Sequence, residues 1–211
     1  MAADPVTSER IYASLKREVM SGVFAPSEVL VERRIAADFG VSITPVRAAA
    51  HRLVGERMLG LNAGGGFRIP EVTEGSLREL YFWHGQLVRN AVSTGDQIPL
   101  DRRPLIMGPT VFTDTAAMTR GLFERIAIRS ANGEILAAIR SAGERLHGAR
   151  LRESWVMPGI EDELAEVQAL TEQGSGQDLL RALWAYHRRR LRRISELVAA
   201  LHLPLGRAPS L

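Results

Sequence analysis

The sequence predicts a mainly α-helical protein of two parts: an N-terminal domain of three helices with a small β-hairpin, then an all-helical bundle. Residues 30–53 carry apolar side chains at helical spacing, interrupted once at Gly40. A glycine run at 64–66 then separates two short apolar segments, as in a hairpin. From residue 77 onward the apolar spacing is helical, and Asn-Gly and Gly-Ser-Gly breaks divide it into segments. With 211 residues the chain has room for two domains.

The segment 30–53 indicates two short amphipathic helices joined by a tight turn. Gly40 ends the first helix, because glycine adopts the left-handed conformation without a steric penalty. Ser42 is expected to cap the second helix through its hydroxyl, and Pro45 falls in the first turn, where its missing N–H costs nothing. The inward stripe of this helix is Val46, Ala49, Ala50 and Leu53. Its other face carries Thr44, Arg47 and His51. A polar first turn with an arginine one turn later is typical of a helix that reads base edges in the major groove.

The flanking segments complete a winged helix-turn-helix. Residues 11–22 are predicted as a first helix, preceded by an unstructured leader at 1–10. Residues 58–61 and 66–69 are predicted as two strands around a turn at 62–65, which together form the wing. A tip made mostly of glycine lets backbone amides approach phosphate closely.

The remainder of the chain, residues 73–211, is predicted as a separate all-helical domain, with residues 1–72 forming the first. Thr73 and Ser76 offer caps for a helix that begins near Leu77. The predicted helices are 76–94, 99–107, 112–131, 133–148, 159–173 and 176–203.

Composition excludes several classes of protein. Hydrophobic residues make up 45% of the chain and charged residues 24%, which is ordinary for a folded domain. There is no cysteine, so disulfides, zinc-thiolate sites and thiol catalysis are excluded. No apolar run is long enough for a membrane span and the first residues lack a secretory signal, so a cytoplasmic protein without a membrane partner is expected. Neither Gly-x-Ser-x-Gly nor His-Glu-x-x-His occurs, and the sequence predicts no enzyme.

The stretch from Ile11 to Ile69 resembles the winged helix-turn-helix of the GntR family of bacterial transcription regulators. The residues that carry this resemblance are Ile11, Tyr12, Leu15, Val19, Ser21, Gly22, Pro26, Leu30, Glu32, Gly40 to Ser42, Thr44 to Arg47, Leu53 and Gly64 to Gly66. The second half resembles the ligand-sensing FCD domain of the FadR-type branch of that family. Its carriers are Leu80, Tyr81, Phe123 to Ile126, Ala131, Asn132, Ile135, Leu136, Leu183, Tyr186, His187 and Leu191. The resemblance implies a homodimer that binds a near-palindromic double-stranded DNA operator.

The same resemblance implies which residues contact DNA. They are Arg33, Ser42, Thr44, Arg47, Gly64 and Gly65. Arg47 corresponds to the arginine of the Thr-Pro-Val-Arg string of the family. One departure stands beside it: the family string Ser-Arg-Thr-Pro is here Ser42-Ile43-Thr44-Pro45. Loss of that arginine removes one guanine or phosphate contact, and Ile43 is expected to touch a thymine methyl instead. The operator core of the family is therefore not assumed for this chain.

Many FCD domains resemble one another in a divalent-metal site, and this chain departs from that pattern. Arg120 stands where the family has Asp, Glu124 where it has the first His, and no histidine lies near 164–165. Only His187 matches a ligand position, so the metal site is predicted to be lost and no cofactor is expected. Two alternatives stay open: a rearranged metal set of His84, Glu124 and His187, or direct capture of an anion by Arg120 with Glu124 as its internal partner. A structural Arg120–Glu124 salt bridge is equally compatible with the sequence.

Taken together, these features predict a bacterial repressor whose operator affinity is controlled by a small metabolite, expected to be a carboxylate. The metabolite would bind the helical domain near His84, Arg120, Glu124 and His187. The alternative is a family member that binds DNA constitutively and senses no effector. A cavity lined by those four residues would favour the first hypothesis, and a filled core the second.

Overall fold

Helices dominate the chain, as the sequence predicts, and the predicted fold class is confirmed. The computed structural model describes residues 5–98, 114–173 and 176–205, with side chains from residue 8 onward. Within these residues the chain divides into two compact units. One comprises residues 5–72 and 201–205, and the other comprises 73–98, 114–173 and 176–200.

The first unit is a three-helix domain with a small antiparallel sheet. Its elements are α1 (Pro5–Met20), β1 (Val29–Leu30), α2 (Glu32–Asp38), α3 (Ile43–Gly55), β2 (Gly60–Leu61) and β3 (Phe67–Arg68). The strand order is β1-β3-β2, with Phe67 paired to both Leu30 and Leu61. Helix α3 packs against α1 and α2. Their shared core is built from Ile11, Tyr12, Leu15, Ile35, Val46, Ala50, Leu53 and Phe67.

The turn between α2 and α3 is a Schellman motif. Gly40 has φ +62°, and its N–H donates to the Ala37 carbonyl at 3.1 Å. The Val41 N–H donates to the Ala36 carbonyl at 2.9 Å, which completes the motif. Gly40 therefore ends α2 in the way the sequence predicts.

The Ser42 cap differs from the prediction. Ser42 is the N-cap residue of α3 with extended backbone, but its side chain makes no capping hydrogen bond. A capping hydroxyl accepts from the second or third helical amide. The third helical residue here is Pro45, which has no N–H, so one of the two amides that could anchor the hydroxyl is missing.

Two further differences concern the first unit. Helix α1 begins at Pro5, so the predicted leader at 1–10 is wrong over its described part. Strand β1 was not predicted, because two residues are too short to show an alternating pattern. The wing strands β2 and β3 lie where they were predicted, though each spans only two residues.

The second unit consists of helices in the described residues. They are α4 (Glu74–Asp96), α5 (Thr115–Arg129), α6 (Gly133–Arg145), α7 (His147–Arg150), α8 (Glu153–Val156), α9 (Ile160–Gln173), α10 (Gly176–Arg192) and α11 (Ile194–Leu201). Helix α4 packs against α5, α6 and α10, and α10 also packs against α9. No helix in the described ranges is long and apolar enough to cross a bilayer.

Side-chain caps define several helix starts in this unit. Thr73 and Ser76, which the sequence predicts as caps, form a reciprocal capping box, and α4 begins at Glu74, before the predicted start near Leu77. The Asp114 carboxylate accepts from the Ala117 amide at 2.7 Å and caps α5. Asn132 caps α6 in the same way.

Helix boundaries were predicted less well than helix positions. The predicted helix 133–148 is two helices interrupted at Leu146, and the predicted helix 176–203 is interrupted at Arg193. The Arg193 amide donates to the carbonyl of Arg190, three residues earlier, and this tighter turn breaks the α-helical series. The short α8 was not predicted. The predicted helix 99–107 lies outside the described residues.

We predict that Leu53→Ala destabilises the first unit by about 3 kcal/mol, because it leaves a cavity between α1 and α3. Leu53 is fully buried, whereas Leu61 on β2 is 61% exposed, so Leu61→Ala is the matched control. Hydrogen exchange of the α3 amides, followed by mass spectrometry, should accelerate in the first variant alone. Equal acceleration in both variants would contradict this description of the core.

Candidate nucleic-acid interface and helical core

Helix α3 presents two different faces. Val46, Ala49, Ala50 and Leu53 are buried, while Thr44, Arg47 and His51 are exposed, as the spacing predicts. Ile43 is half-buried and packs against the core of the first unit, so its side chain is partly withdrawn from solvent. The exposed face therefore begins with the hydroxyls of Ser42 and Thr44 and continues one turn later with Arg47.

Arg47 is held in a two-pronged ion pair by Glu32 of α2. Its Nη2 lies 2.7 Å from Glu32 Oε2, and its Nε lies 3.1 Å from Oε1 and 3.2 Å from Oε2. The hydrogen bond from Arg47 lowers the pKa of Glu32. The Arg47 side chain is nevertheless 59% exposed. The carboxylate thus orients the guanidinium while leaving it accessible to a ligand in solvent.

Arg52 provides a contrast on the same helix. It pairs with Glu9 at 2.7 Å, and its guanidinium carbon lies 3.5 Å from the centre of the Tyr12 ring. The Tyr12 hydroxyl in turn donates to Glu56 at 2.6 Å. Arg52 therefore serves the packing of α1 on α3, although half of its side chain is exposed.

The wing tip is organised by Asn62, a residue that the sequence reasoning did not single out. The Asn62 amide side chain donates to the Gly65 carbonyl at 3.0 Å, and the Gly65 N–H donates to the Asn62 carbonyl at 2.9 Å. Asparagine often hydrogen-bonds the backbone of the turn that it begins, so an asparagine just before a glycine run is the sequence signal that could have identified Asn62. Gly65 and Gly66 have φ of +91° and +78°. A Cβ on Gly66 would lie 3.1 Å from the Leu30 carbonyl oxygen, whereas Gly64 has ordinary φ.

The six residues that the resemblance implies for DNA binding all lie on the surface of the first unit. They are Arg33 on α2, Ser42, Thr44 and Arg47 at the start of α3, and Gly64 and Gly65 at the wing tip.

In the helical unit, His84 of α4 and His187 of α10 meet in the buried core. His84 Nδ1 lies 2.9 Å from His187 Nε2, and His187 Nδ1 lies 2.7 Å from the Leu183 carbonyl oxygen. A carbonyl oxygen can only accept, so His187 Nδ1 carries the proton and its Nε2 accepts from His84. His84 Nε2 then accepts from Arg150 Nη2 at 3.2 Å. The result is a directed chain from Arg150 through both histidines to the Leu183 carbonyl.

The imidazoles of His84 and His187 are both neutral in the folded protein. Burial lowers the pKa of His187 to about 3. Burial, with Arg150 adding to it, lowers the pKa of His84 well below 6.5. Each neutral ring has one N–H and one nitrogen lone pair. In both His84 and His187 the N–H donates one hydrogen bond and the lone pair accepts another.

Glu124 and Arg120 do not join the histidines in a metal site. Glu124 pairs with Arg140 of α6 at 3.1 Å and, at 3.8 Å, with Arg120. The structural Arg120–Glu124 pair left open by the sequence is thus present, as the weaker of two ion pairs. Across residues 5–98, 114–173 and 176–205, no three His, Asp or Glu side chains come together as a ligand set. The rearranged set of His84, Glu124 and His187 is therefore not assembled.

Phe123 packs against the histidine pair. The Phe123 ring centre lies 4.7 Å from that of His84 and 5.7 Å from that of His187. Two surface grooves also lie in this unit, one of about 370 Å³ beside Trp184 and Arg188 and one of about 550 Å³ beside Glu166 and Arg181.

Among the described residues, Arg190 and Arg150 are two of the three buried arginines that the sequence reasoning missed. Arg190 is fully buried and pairs with Glu153 at 2.8 Å and with Glu163 at 2.6 Å. Tyr81 donates to the other oxygen of Glu153, also at 2.8 Å. Arg150 is 2% exposed and donates to His84. In a chain this rich in arginine, nothing in the local sequence distinguishes these two from exposed ones.

We predict that stability of the helical unit falls as the pH drops below 6.5. The unfolded histidines bind protons near pH 6.5, whereas folded His187 stays neutral down to about pH 3. The folded state therefore loses stability across this window, by about 2 kcal/mol at pH 5 for each such histidine. Urea unfolding monitored by tryptophan fluorescence at pH 7.5 and 5.0 measures the loss, since all three tryptophans lie in this unit.

His187→Gln should reduce that pH-dependent loss by about one histidine's share. His202→Gln is the control, since His202 is exposed and lies outside the unit. A loss of the same size in His187→Gln and wild type would show that His187 does not stay neutral.

Comparison with known proteins connects this geometry to a family. Residues 7–69 match the sequence profile of the bacterial regulatory proteins of the gntR family. The chain is 33% identical over 72 residues to the uncharacterized HTH-type transcriptional regulator YdhC of Bacillus subtilis, covering 34% of this chain and 32% of YdhC. It is 36% identical over 66 residues to the HTH-type transcriptional regulator McbR of Escherichia coli, covering 31% and 30%. The matches thus span about a third of these two relatives.

Solved structures extend the likeness in fold to most of the chain. The structure of E. coli McbR/YncC superposes with a TM-score of 0.65 at 18% identity, covering 93% of this chain and 99% of that one. A proposed GntR transcriptional regulator from Rhodococcus sp. RHA1 superposes with a TM-score of 0.70 at 17% identity, covering 90% and 97%. The chain therefore carries a GntR-family winged helix-turn-helix at residues 7–69, followed by a helical carboxy-terminal unit.

Proposed function

We propose that the protein is a cytoplasmic bacterial transcription regulator that binds double-stranded DNA and is not an enzyme. The observation that carries this proposal is the exposed guanidinium of Arg47, held by Glu32 on the second helix of a GntR-type helix-turn-helix. A planar guanidinium presented from such a helix can bind guanine or phosphate through two hydrogen bonds.

The neighbouring groups support the same surface. The Ser42 hydroxyl, released from capping, and the Thr44 hydroxyl are free of the core at the positive end of α3, where phosphate binds favourably. Arg33 supplies a second exposed cation on α2. Gly64 and Gly65 let the wing backbone approach the DNA closely. Because Ile43 packs partly into the core, sequence discrimination would depend mainly on Arg47.

We propose that two copies act together on a near-palindromic operator. Large aromatic side chains are exposed on the helical unit: Phe82 at 58%, Trp83 at 52% and Trp184 at 49%. Exposed aromatics of this size are typical of protein–protein interfaces. A dimer formed through α4 and α10 would give the operator its two-fold symmetry.

We further propose that a small carboxylate controls DNA binding and that the protein represses transcription. The buried guanidinium of Arg150 supports it, because no carboxylate of the described residues pairs with that guanidinium. The close packing of His84, His187 and Phe123 favours the alternative, a regulator that binds DNA constitutively. An effector would then have to displace side chains from that core in order to bind.

We predict that Arg47→Ala abolishes selective DNA binding. Purified protein would be used to select fragments of its source genome, and the wild type should recover a discrete near-palindromic site. Loss of one bidentate base contact costs about 1–3 kcal/mol per subunit, or at least a ten-fold loss of affinity for that site. Arg52→Ala, an exposed arginine of the same helix that serves packing, is the matched control. Selective binding that survives in Arg47→Ala would contradict the assignment of Arg47 as the residue that reads the DNA sequence.

Glu32→Gln tests the role of the ion pair. Without the carboxylate, Arg47 is no longer oriented and the DNA-facing surface gains one positive charge. We predict tighter binding to arbitrary DNA and a smaller ratio of specific to arbitrary affinity. Fluorescence anisotropy at several salt concentrations measures both. An unchanged ratio would mean that Glu32 does not orient Arg47 for readout.

A further inference from the structure

The Arg150 guanidinium is buried in the helical core, and no side chain of the described residues serves as its counter-ion. Its exposed fraction is 2%, and no carboxylate in the described residues lies within 4.0 Å of it. It donates to His84 Nε2 at 3.2 Å and, at a long 3.5 Å, to the Gly143 carbonyl, while its Nε has no partner. A buried charge with no partner of opposite sign strongly disfavours the folded state.

The same unit shows what a structural buried arginine looks like. Arg190, equally inaccessible, is compensated by Glu153 and Glu163 and lies against the Tyr186 ring. Arg150 has no such carboxylates among the described residues; it faces the neutral imidazole of His84, and its guanidinium carbon lies 5.3 Å from the centre of the Phe123 ring. The difference between the two arginines points to a missing anion at Arg150.

Other unsatisfied polar atoms surround the same place. Arg120 Nε and His147 Nδ1 are buried without hydrogen-bond partners. A Cβ on Gly143 would lie 3.5 Å from Arg150 Nη1 and 3.8 Å from Arg120 Cγ, so both arginines flank this glycine. The nearby carboxylate of Asp114 caps α5 at the surface. The cluster thus combines buried polar atoms that lack hydrogen-bond partners with an Arg150 charge that pairs with no carboxylate of the described residues.

The arrangement does not fit the divalent metal that the FCD resemblance implies. A metal ligand must offer a free imidazole lone pair. The lone pair of His187 accepts from His84, and that of His84 accepts from Arg150. The guanidinium occupies the side of the histidine pair that a metal ion would need.

We infer that Arg150 is a built-in cation that binds a small carboxylate ligand in the helical core without a metal ion. The chain itself shows the geometry, because Arg47 grips the Glu32 carboxylate through Nε and Nη2. Arg150 offers the same pair of nitrogens, with Nε unbonded and Nη2 retaining a second hydrogen beside its bond to His84. A bound carboxylate would neutralise Arg150 and accept a hydrogen bond from Arg120 Nε. Only the regulatory consequence of this binding rests on the proposed function.

The test is a thermal-shift measurement on the full chain after dialysis against EDTA. The probes are acetate, succinate, citrate and, as the alternative oxyanion, inorganic phosphate. At saturation we expect a carboxylate to raise Tm by about 5 °C in the wild type. Arg150→Gln should abolish this rise, whereas Arg192→Gln, an exposed arginine of α10, should keep it.

The ligand-free Tm of Arg150→Gln separates binding from structure. Glutamine retains a donor for His84 but removes the uncompensated charge, so its Tm should equal or exceed that of the wild type. A lower Tm would make Arg150 a structural residue and overturn the inference. So would a rise that persists in Arg150→Gln, that requires added Zn²⁺, that occurs only with phosphate, or that is absent with every probe.

DNA binding provides an independent readout. Arg150→Gln should still select the same DNA fragments as the wild type, because Arg150 lies in the helical unit. Failure of the wild type to select DNA would overturn the proposed function and leave the thermal shift unaffected. The two proposals can therefore fail separately.

Discussion

The hydrogen bond between His84 and His187 is the interaction on which the helical unit depends. It joins α4 to α10 in the interior, and it requires that His187 Nε2 stays unprotonated, which the lowered pKa of His187 ensures. The close approach also requires Gly85, because a Cβ there would lie 3.1 Å from His187 Cγ. The orientation of the pair then determines that His84 presents an acceptor to Arg150. The His84–His187 hydrogen bond thus bears on the spacing of α4 and α10, on the protonation of the two rings and on the placement of the Arg150 guanidinium.

The two units use arginine in complementary ways. In the first unit, Glu32 restrains Arg47 at an exposed surface, where the guanidinium can exchange a carboxylate for a phosphate or a base. In the second unit, Arg190 is fully neutralised by carboxylates, whereas Arg150 is not. A surface arginine can exchange an ion pair for water at a small cost in free energy, whereas a buried arginine cannot. The unpaired one is therefore more informative than any count of positive charges.

Local signals in the sequence were sufficient for most of the fold. Gly40, Thr73 and Asn132 each mark a helix boundary through their own backbone or side chain, and the structure shows all three at boundaries. Ser42 makes no capping hydrogen bond, and Pro45, three residues away, removes one of the two amides that could have anchored its hydroxyl. Arg150 could not be recognised at all. Its meaning lies in the absence of a carboxylate among residues distant in sequence, and spacing along one helix does not report such an absence.

The wing illustrates how little of a loop is free to vary. Gly66 needs both its left-handed backbone and its missing side chain, since the Leu30 carbonyl of the neighbouring strand occupies the space. Gly65 is constrained by backbone conformation, whereas Gly64 has ordinary φ and only the Asn62 amide nearby. A library built on this wing should therefore randomise Gly64 and keep Gly66. Among the three glycines of the wing, Gly64 is thus the position at which a side chain can be introduced to change DNA preference.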